Sequence, residues 1–318
     1  MIVSLYSDRR MIEHRVPSRH PERPERLEAV LRHLERRGYM NTCARGEVRE
    51  ATGEELRRVH SAEYLEELAE LEARGGGAVD PDTWVFPKTL EAARLAAGAS
   101  IQAVSDVVSG PDRRALCIIR PPGHHARPGA GMGFCLYANV SLAAAEALDR
   151  FELNRVMIID FDVHHGNGTQ EIFYRSDRVG FLSIHRYPFY PGTGSRDETG
   201  SGPGLGYTVN IPLPYGTPRS RYLAAFRAGL ETLADRTKPE LILVSAGFDA
   251  HAQDPVGDLG LEVEDFETIT REIVSVAETH AQGRILSVLE GGYHVPILTA
   301  SVEAHLQALG ATPGRGEH

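Results

Sequence analysis

Five apolar runs of strand length lie along the chain, and none of them alternates with polar residues. They occupy positions 115–119, 156–159, 179–182, 241–244 and 285–289. A strand that is apolar on both faces must be covered on both. Between these runs lie helical patterns. Leu27, Val30, Leu31 and Leu34 recur at helical spacing over 24–37, and Gly38 ends the run. A helix over 62–74 starts after Ser61, and an alanine-rich, buried one is predicted over 89–108. Further helices fit 139–150, 219–235, 264–281 and 296–309. Doubly covered strands alternating with helices imply one α/β domain, three layers deep, around a mostly parallel sheet.

Each run is followed at once by unusual polar chemistry. The first leads into Arg120-Pro-Pro-Gly-His124-His125, and the second into Asp160-Phe-Asp162-Val-His164-His165-Gly-Asn167. The third gives Ser183-Ile-His185 and then Tyr190. The fourth gives Ser245-Ala-Gly-Phe-Asp249-Ala-His251, and the last Glu290-Gly-Gly-Tyr293-His294. Ligands of open α/β sheets bind beyond the carboxyl ends of the strands. One edge should therefore gather these motifs.

The residue types suggest what that edge does. In an extended segment, residues i and i+2 face the same side, so Asp162 and His164 can offer an oxygen and a nitrogen to one cation. Asp249 can add a second oxygen. Such a set leaves a position open for water and substrate, and it suits Zn2+, with Fe2+, Co2+ or Mn2+ as alternatives. His124 and His125 titrate near neutrality and can serve as general base and acid, with Asp160 and Asn167 placed to orient them. Tyr293 can donate to a developing oxyanion. Phe134 and Tyr190 are loop aromatics able to flank an apolar stem. His165 should point away from the metal and serve the structure.

Other chemistries fit less well. The chain has no Gly-x-Ser-x-Gly elbow, no Walker A spacing and no dinucleotide fingerprint. A net charge of −10 argues against a basic nucleic-acid binder. No apolar run approaches the length of a membrane span, and the N-terminus lacks a secretory core. Cys43, Cys117 and Cys135 form no CxxC pair, so a reducing cytoplasm is expected. No long linker divides residues 1–318, and the tail from about Gly310 is expected to be flexible. Nothing in the sequence specifies an oligomeric state.

With these motifs in order, from His20-Pro-Glu-Arg-Pro-Glu-Arg-Leu27 through Val59-His60-Ser61 to Gly291-Gly292-Tyr293, the chain resembles the histone deacetylase family of the arginase/deacetylase fold. The resemblance implies zinc on Asp162, His164 and Asp249. It implies tandem histidines backed by Asp160 and Asn167, and a carbonyl-polarising Tyr293. Phe134 and Tyr190 would wall an acyl-lysine tunnel, with Gly133, Gly292 and Val256 also at the substrate. It further implies structural K+, held by Asp160 and main-chain oxygens of Asp162, His164, Ser183 and Ile184. A second K+ would lie around Phe173, Ser176 and Val179. The implied partner is an acetylated lysine peptide or protein, or an acetylated small amine such as a polyamine, and the implied product is acetate.

Three positions qualify the resemblance. Asn167 stands where class I members carry Asp, which makes the chain class II-like and should lower the His125 pKa. Tyr190 replaces a common Phe. Val256, in Asp254-Pro-Val-Gly257, replaces the acidic gatekeeper of polyamine-preferring relatives, which favours acyl-lysine. The two-manganese ureohydrolases share the fold, but their bridging carboxylates are replaced here by Gly166 and His251. A non-catalytic acyl-amine binder would be expected to have lost a ligand, a tandem histidine or the tyrosine, and this chain keeps them all.

Overall fold

A computed structural model describes residues 2–314. The described residues form ten strands: β1 (Val3–Tyr6), β2 (Ala44–Arg45), β3 (Gly77–Asp80), β4 (Thr83–Val85), β5 (Arg114–Cys117), β6 (Val156–Asp160), β7 (Val179–Arg186), β8 (Thr208–Leu213), β9 (Leu241–Ala246) and β10 (Ile285–Leu289). Their ten α-helices are α1 (Pro24–Arg36), α2 (Tyr39–Thr42), α3 (Gly53–Leu56), α4 (Ala62–Ala73), α5 (Thr89–Ser109), α6 (Asn139–Asp149), α7 (Asn167–Phe173), α8 (Arg219–Thr237), α9 (Val263–His280) and α10 (Val295–Ala308).

Eight strands make one sheet in the order β2-β1-β5-β10-β9-β6-β7-β8, and every pairing in it is parallel. β3 and β4 form a separate antiparallel hairpin. Every residue of β5, β6, β9 and β10 is buried, as their unbroken apolar runs require. One helical layer runs α8, α9, α10, α1, and the other is built on α5 and α6. Helix α5 is apolar on most of its circumference because it packs on the short turn at Arg9–Glu13, on α6 and on β5 at once.

Two expected features differ in detail. The run at 179–182 extends to Arg186, since Ser183 and His185 are buried within the strand and bond each other (Oγ to Nδ1, 3.0 Å). Strands β1, β2 and β8 extend the sheet on its two sides, with β2 and β8 at the edges, and hydrophobic runs do not announce them. β8 carries Pro212, which an edge strand tolerates because one side needs no ladder bond. The segment after α10 packs against α2, where the Thr42 hydroxyl donates to the Thr312 carbonyl (2.6 Å). The end of the expected flexible tail, 315–318, lies outside the described residues. Among the described residues no helix is long and apolar enough to cross a membrane.

Candidate active site

The carboxyl ends of β5, β6, β7, β9 and β10 converge because parallel pairing puts them on one edge. At that edge lies a cavity of about 230 Å3, lined by Asp82, His125, Gly133, Phe134, His164, Phe189, Tyr190, Val256 and Tyr293. Larger hollows open elsewhere among the described residues, such as the one lined by Leu31 and Arg45 and the one lined by Tyr174 and Glu198, but neither is lined by Asp162, His164 or Asp249. The chemistry of the lining therefore selects the site, and volume does not.

At its floor the side chains of Asp162, His164 and Asp249 come together, fully buried, with ligand atoms all within 4.8 Å of one another. His164 Nδ1 lies 3.0 Å from Asp162 Oδ1 and 3.2 Å from Asp249 Oδ2. The remaining oxygens are held by the backbone. Asp162 Oδ2 accepts from Gly291 N–H (2.9 Å), and Asp249 Oδ1 from Val163 N–H (2.9 Å). Asp249 Oδ2 is buried without a hydrogen-bond partner. A Cβ at Gly291 would run into both carboxylates, so only glycine leaves that space open.

The electrostatics point the same way. Burial, and then the charge of Asp162, lift Asp249 to about 7. Burial works against a charged His164, yet the bond from Asp162 and the charges of Asp249 and Asp162 outweigh it and raise it to about 9. Asp249 is thus short of positive charge, while His124 and His164 hold Asp162 well below the usual carboxylate range; a divalent cation would supply the missing charge with ligands of the right kind. The donor set fits a metal ion.

Beside it, the His124 and His125 rings lie 4.0 Å apart. Asp160 Oδ2 accepts from His124 Nδ1 (2.9 Å), and Asn167 Oδ1 from His125 Nδ1 (2.7 Å). Burial disfavours charge on both rings. For His124 the charges of Asp160 and Asp162 win and hold its pKa well above the usual range. For His125 burial, His124 and His164 all act downward and hold it well below. The Asn167 bond itself acts upward, so the lowering comes chiefly from burial. His165 turns away, bonded to Thr193 Oγ1 and Gln170 Oε1.

Tyr293 is buried, and burial with the nearby Asp249 charge keeps its phenol protonated. Its ring meets Phe134 edge-on at 5.8 Å. Phe134 adopts φ +69°, an unusual left-handed conformation for a bulky residue. The Thr83 hydroxyl holds it by accepting its N–H (2.9 Å), while Asp82 accepts from Gly133 N–H (3.0 Å). At Gly133, φ +55°, a Cβ would strike the His125 ring. Tyr190 faces His125 across 5.3 Å and is partly exposed at the mouth. Gly292 is not among the lining residues, and its carbonyl accepts from Arg26 Nε (2.6 Å). Asp160 pairs in register with Ser183, and Phe173 and Ser176 share one turn, where Ser176 N–H donates to Phe173 O (2.9 Å).

Several functional positions escape the sequence reading. Phe189 and Asp82 line the cavity. Asp254 accepts four backbone N–H bonds, from Val256, Gly257, Tyr293 and His294, and so ties the Val256 turn to the Tyr293 loop. Its Asp-Pro-x-Gly spacing is the turn signature that would have found it.

A model of the histone deacetylase domain matches residues 20–309. A probable deacetylase of Archaeoglobus fulgidus is 41% identical over 298 residues, covering 93% of this chain and 82% of that protein. The chain belongs to the histone deacetylase family. Members of this family are hydrolytic deacetylases, or amidohydrolases, and the deacetylase described here is also 41% identical to a human polyamine deacetylase, HDAC10. That match covers 92% of the chain but only 45% of the human protein. Among solved structures, the HD domain of HDA15 superposes on this deacetylase with a TM-score of 0.91 at 35% identity, covering 96% of this chain and 90% of that one.

Proposed function

We propose that this deacetylase is a zinc enzyme that removes acetyl or related acyl groups from lysine side chains. The observation that carries the reading is the cavity itself. Its walls are Phe134, Phe189, Tyr190 and Val256, and its floor brings His125, His164 and Tyr293 together. An apolar stem fits between the walls, and the acyl group would meet the floor. Zinc held by Asp162, His164 and Asp249 supplies Lewis-acid polarisation of the carbonyl and a more acidic water; ferrous iron suits the same ligands.

The chain's own residues supply the proton chemistry. His125 is neutral, and with Nδ1–H given to Asn167 its Nε2 lone pair is free to take a proton from the attacking water. Tyr293 donates its hydroxyl to the oxygen that gains charge. His125, now protonated, returns the proton to the leaving amine. His124 stays charged beside Asp160 and stabilises the negative charge that builds. Potassium is assigned to Asp160 with main-chain oxygens of Asp162, His164, Ser183 and Ile184. A second ion is assigned to the turn of Phe173, Ser176 and Val179. The register of Asp160 beside Ser183 supports the first assignment.

Val256 at the wall offers no anion to a second amine, which favours acyl-lysine in a peptide. Acetylpolyamine is the second reading, because Asp82 lines the same cavity with a carboxylate. The test is acetate release by the zinc-loaded protein from an acetyl-lysine peptide and from acetylputrescine, side by side. Faster peptide turnover, lost on Tyr293→Phe, is expected. Faster acetylputrescine turnover overturns the substrate assignment, and no release from either overturns both.

A further inference from the structure

The mechanism above gives no part to Glu290, yet its carboxylate is fully buried, within 4.8 Å of a His124 ring nitrogen and of Cys135 Sγ. It follows the last residue of β10, and its own N–H donates to Ala246 O (3.0 Å). Its Oε2 accepts from two successive backbone groups, Gly123 N–H (2.6 Å) and His124 N–H (3.2 Å). Its Oε1 accepts from the Ser245 hydroxyl (3.1 Å). Its carbonyl accepts from Arg26 Nη2 (2.5 Å).

Two consecutive N–H groups aimed at one point form a backbone nest for an anion. Here the anion is the chain's own side chain. One carboxylate therefore joins the turn bearing His124 and His125 to β9, which leads to Asp249, and to β10, which leads to Tyr293. The base, one metal ligand and the oxyanion donor come from three separate strand ends, and Glu290 touches all three ends. Without an acceptor, the two N–H groups would be buried and unpaired, and the turn would shift to find water.

We propose that Glu290 is a positioning residue that sets the tandem histidines against Tyr293 and the metal site. The nest needs an acceptor at the right reach. A negative charge is secondary to that. The inference rests on the deacetylase reading above, and two variants separate reach from charge. In Glu290→Gln the amide oxygen can take both N–H groups while its NH2 donates to Ser245, so reach is kept and charge removed. In Glu290→Asp the charge is kept but the side chain is one methylene short.

The experiment measures kcat and KM for peptide deacetylation, with metal content and melting temperature on the same samples. Glu290→Gln is expected to keep most of the wild-type kcat. Glu290→Asp is expected to lose about 100-fold in kcat, the scale of a one-ångström misplacement, with KM and metal content little changed. A role in folding alone would move the melting temperature and leave kcat of the folded fraction intact, which overturns the proposal. Equal losses in both variants, a greater loss in Gln, two unaffected variants, or a change confined to KM also overturn it. Wild-type protein that turns over no acyl amine sinks the underlying reading instead.

Discussion

Tyr293 is held as a neutral donor by its surroundings. Burial and the Asp249 charge make phenolate formation costly, so the hydroxyl keeps its proton throughout the working pH range. On the proposed mechanism, removing that oxygen removes one donor from the transition state and nothing from substrate packing. Tyr293→Phe is therefore expected to lower kcat by about 100- to 1,000-fold, the range of single oxyanion donors, with KM nearly unchanged. A KM effect alone would place the tyrosine in binding. Gly291 makes a second residue-scale case. Its missing Cβ leaves room for the Asp162 and Asp249 carboxylates, so Gly291→Ala should fold yet bind zinc at least tenfold more weakly, roughly 1.4 kcal/mol. Titration with the metal alone measures it; wild-type affinity would show that the carboxylates adapt. The sequence exposes Asp162 and His164 through their i, i+2 spacing. It hides Glu290 and Asp82, because each serves backbone N–H groups of a distant loop, and no spacing records such a partner.

The segment between β7 and β8 carries Phe189 and Tyr190, and it is fastened from behind. Glu198 accepts from Gly194 N–H (3.0 Å), Ser195 N–H (2.9 Å) and the Ser195 hydroxyl (3.0 Å) with one oxygen, and from Gln170 (2.5 Å) with the other. Gln170 lies on α7, the helix that presents Asn167 to His125. The same carboxylate thus fixes the cavity wall of Phe189 and Tyr190 to the element behind His125. Glu198→Ala should loosen the wall more than the floor. The expected result is about a tenfold rise in KM with kcat within about threefold, since binding that is uniform across the reaction is what is lost. A fall in kcat at constant KM would place the effect on α7 instead. Elements of this kind were unevenly legible. The long helices and central strands follow from periodicity and continuous burial, and their bounds agree within a few residues. Strands β1 and β8 do not announce themselves, because one lies at the chain's start and mixes Ser4 with apolar neighbours, while the other contains Pro212. The loop's anchoring rests on hydrogen bonds between α7, β7 and β8, which appear only once these are side by side.

For the whole molecule, five buried histidines outside the site set the response to acid. Burial holds His14, His185 and His305 down to about 3, and His60 and His165 to about 4. His60 shows why only the neutral form fits. Its Nδ1–H donates to Arg127 O (3.0 Å) while its Nε2 accepts from Ala138 N–H (3.0 Å), so a second ring proton would face a donor. An unfolded histidine takes up its proton near pH 6.5. These five have depressed folded values, so their stabilising contribution is complete above that pH and is lost progressively as pH falls through about 4 and about 3. Glu22 enters later. Burial would raise it, but Arg120 and Arg26 hold it down to about 2, so its contribution is complete above about 4.5 and fades below. Each proton bound only by the unfolded chain costs up to roughly 1.4 kcal/mol per pH unit. Several together exhaust an ordinary stability of about 5–15 kcal/mol within two or three units. Acid unfolding is therefore expected with a midpoint near pH 5 and an uptake of several protons, read by circular dichroism and by potentiometric titration. A fold that persists at pH 3.5, or one that unfolds near pH 5 with uptake of a single proton, would mean that the buried imidazoles accept charge in place and that the interior is wetter than its packing indicates.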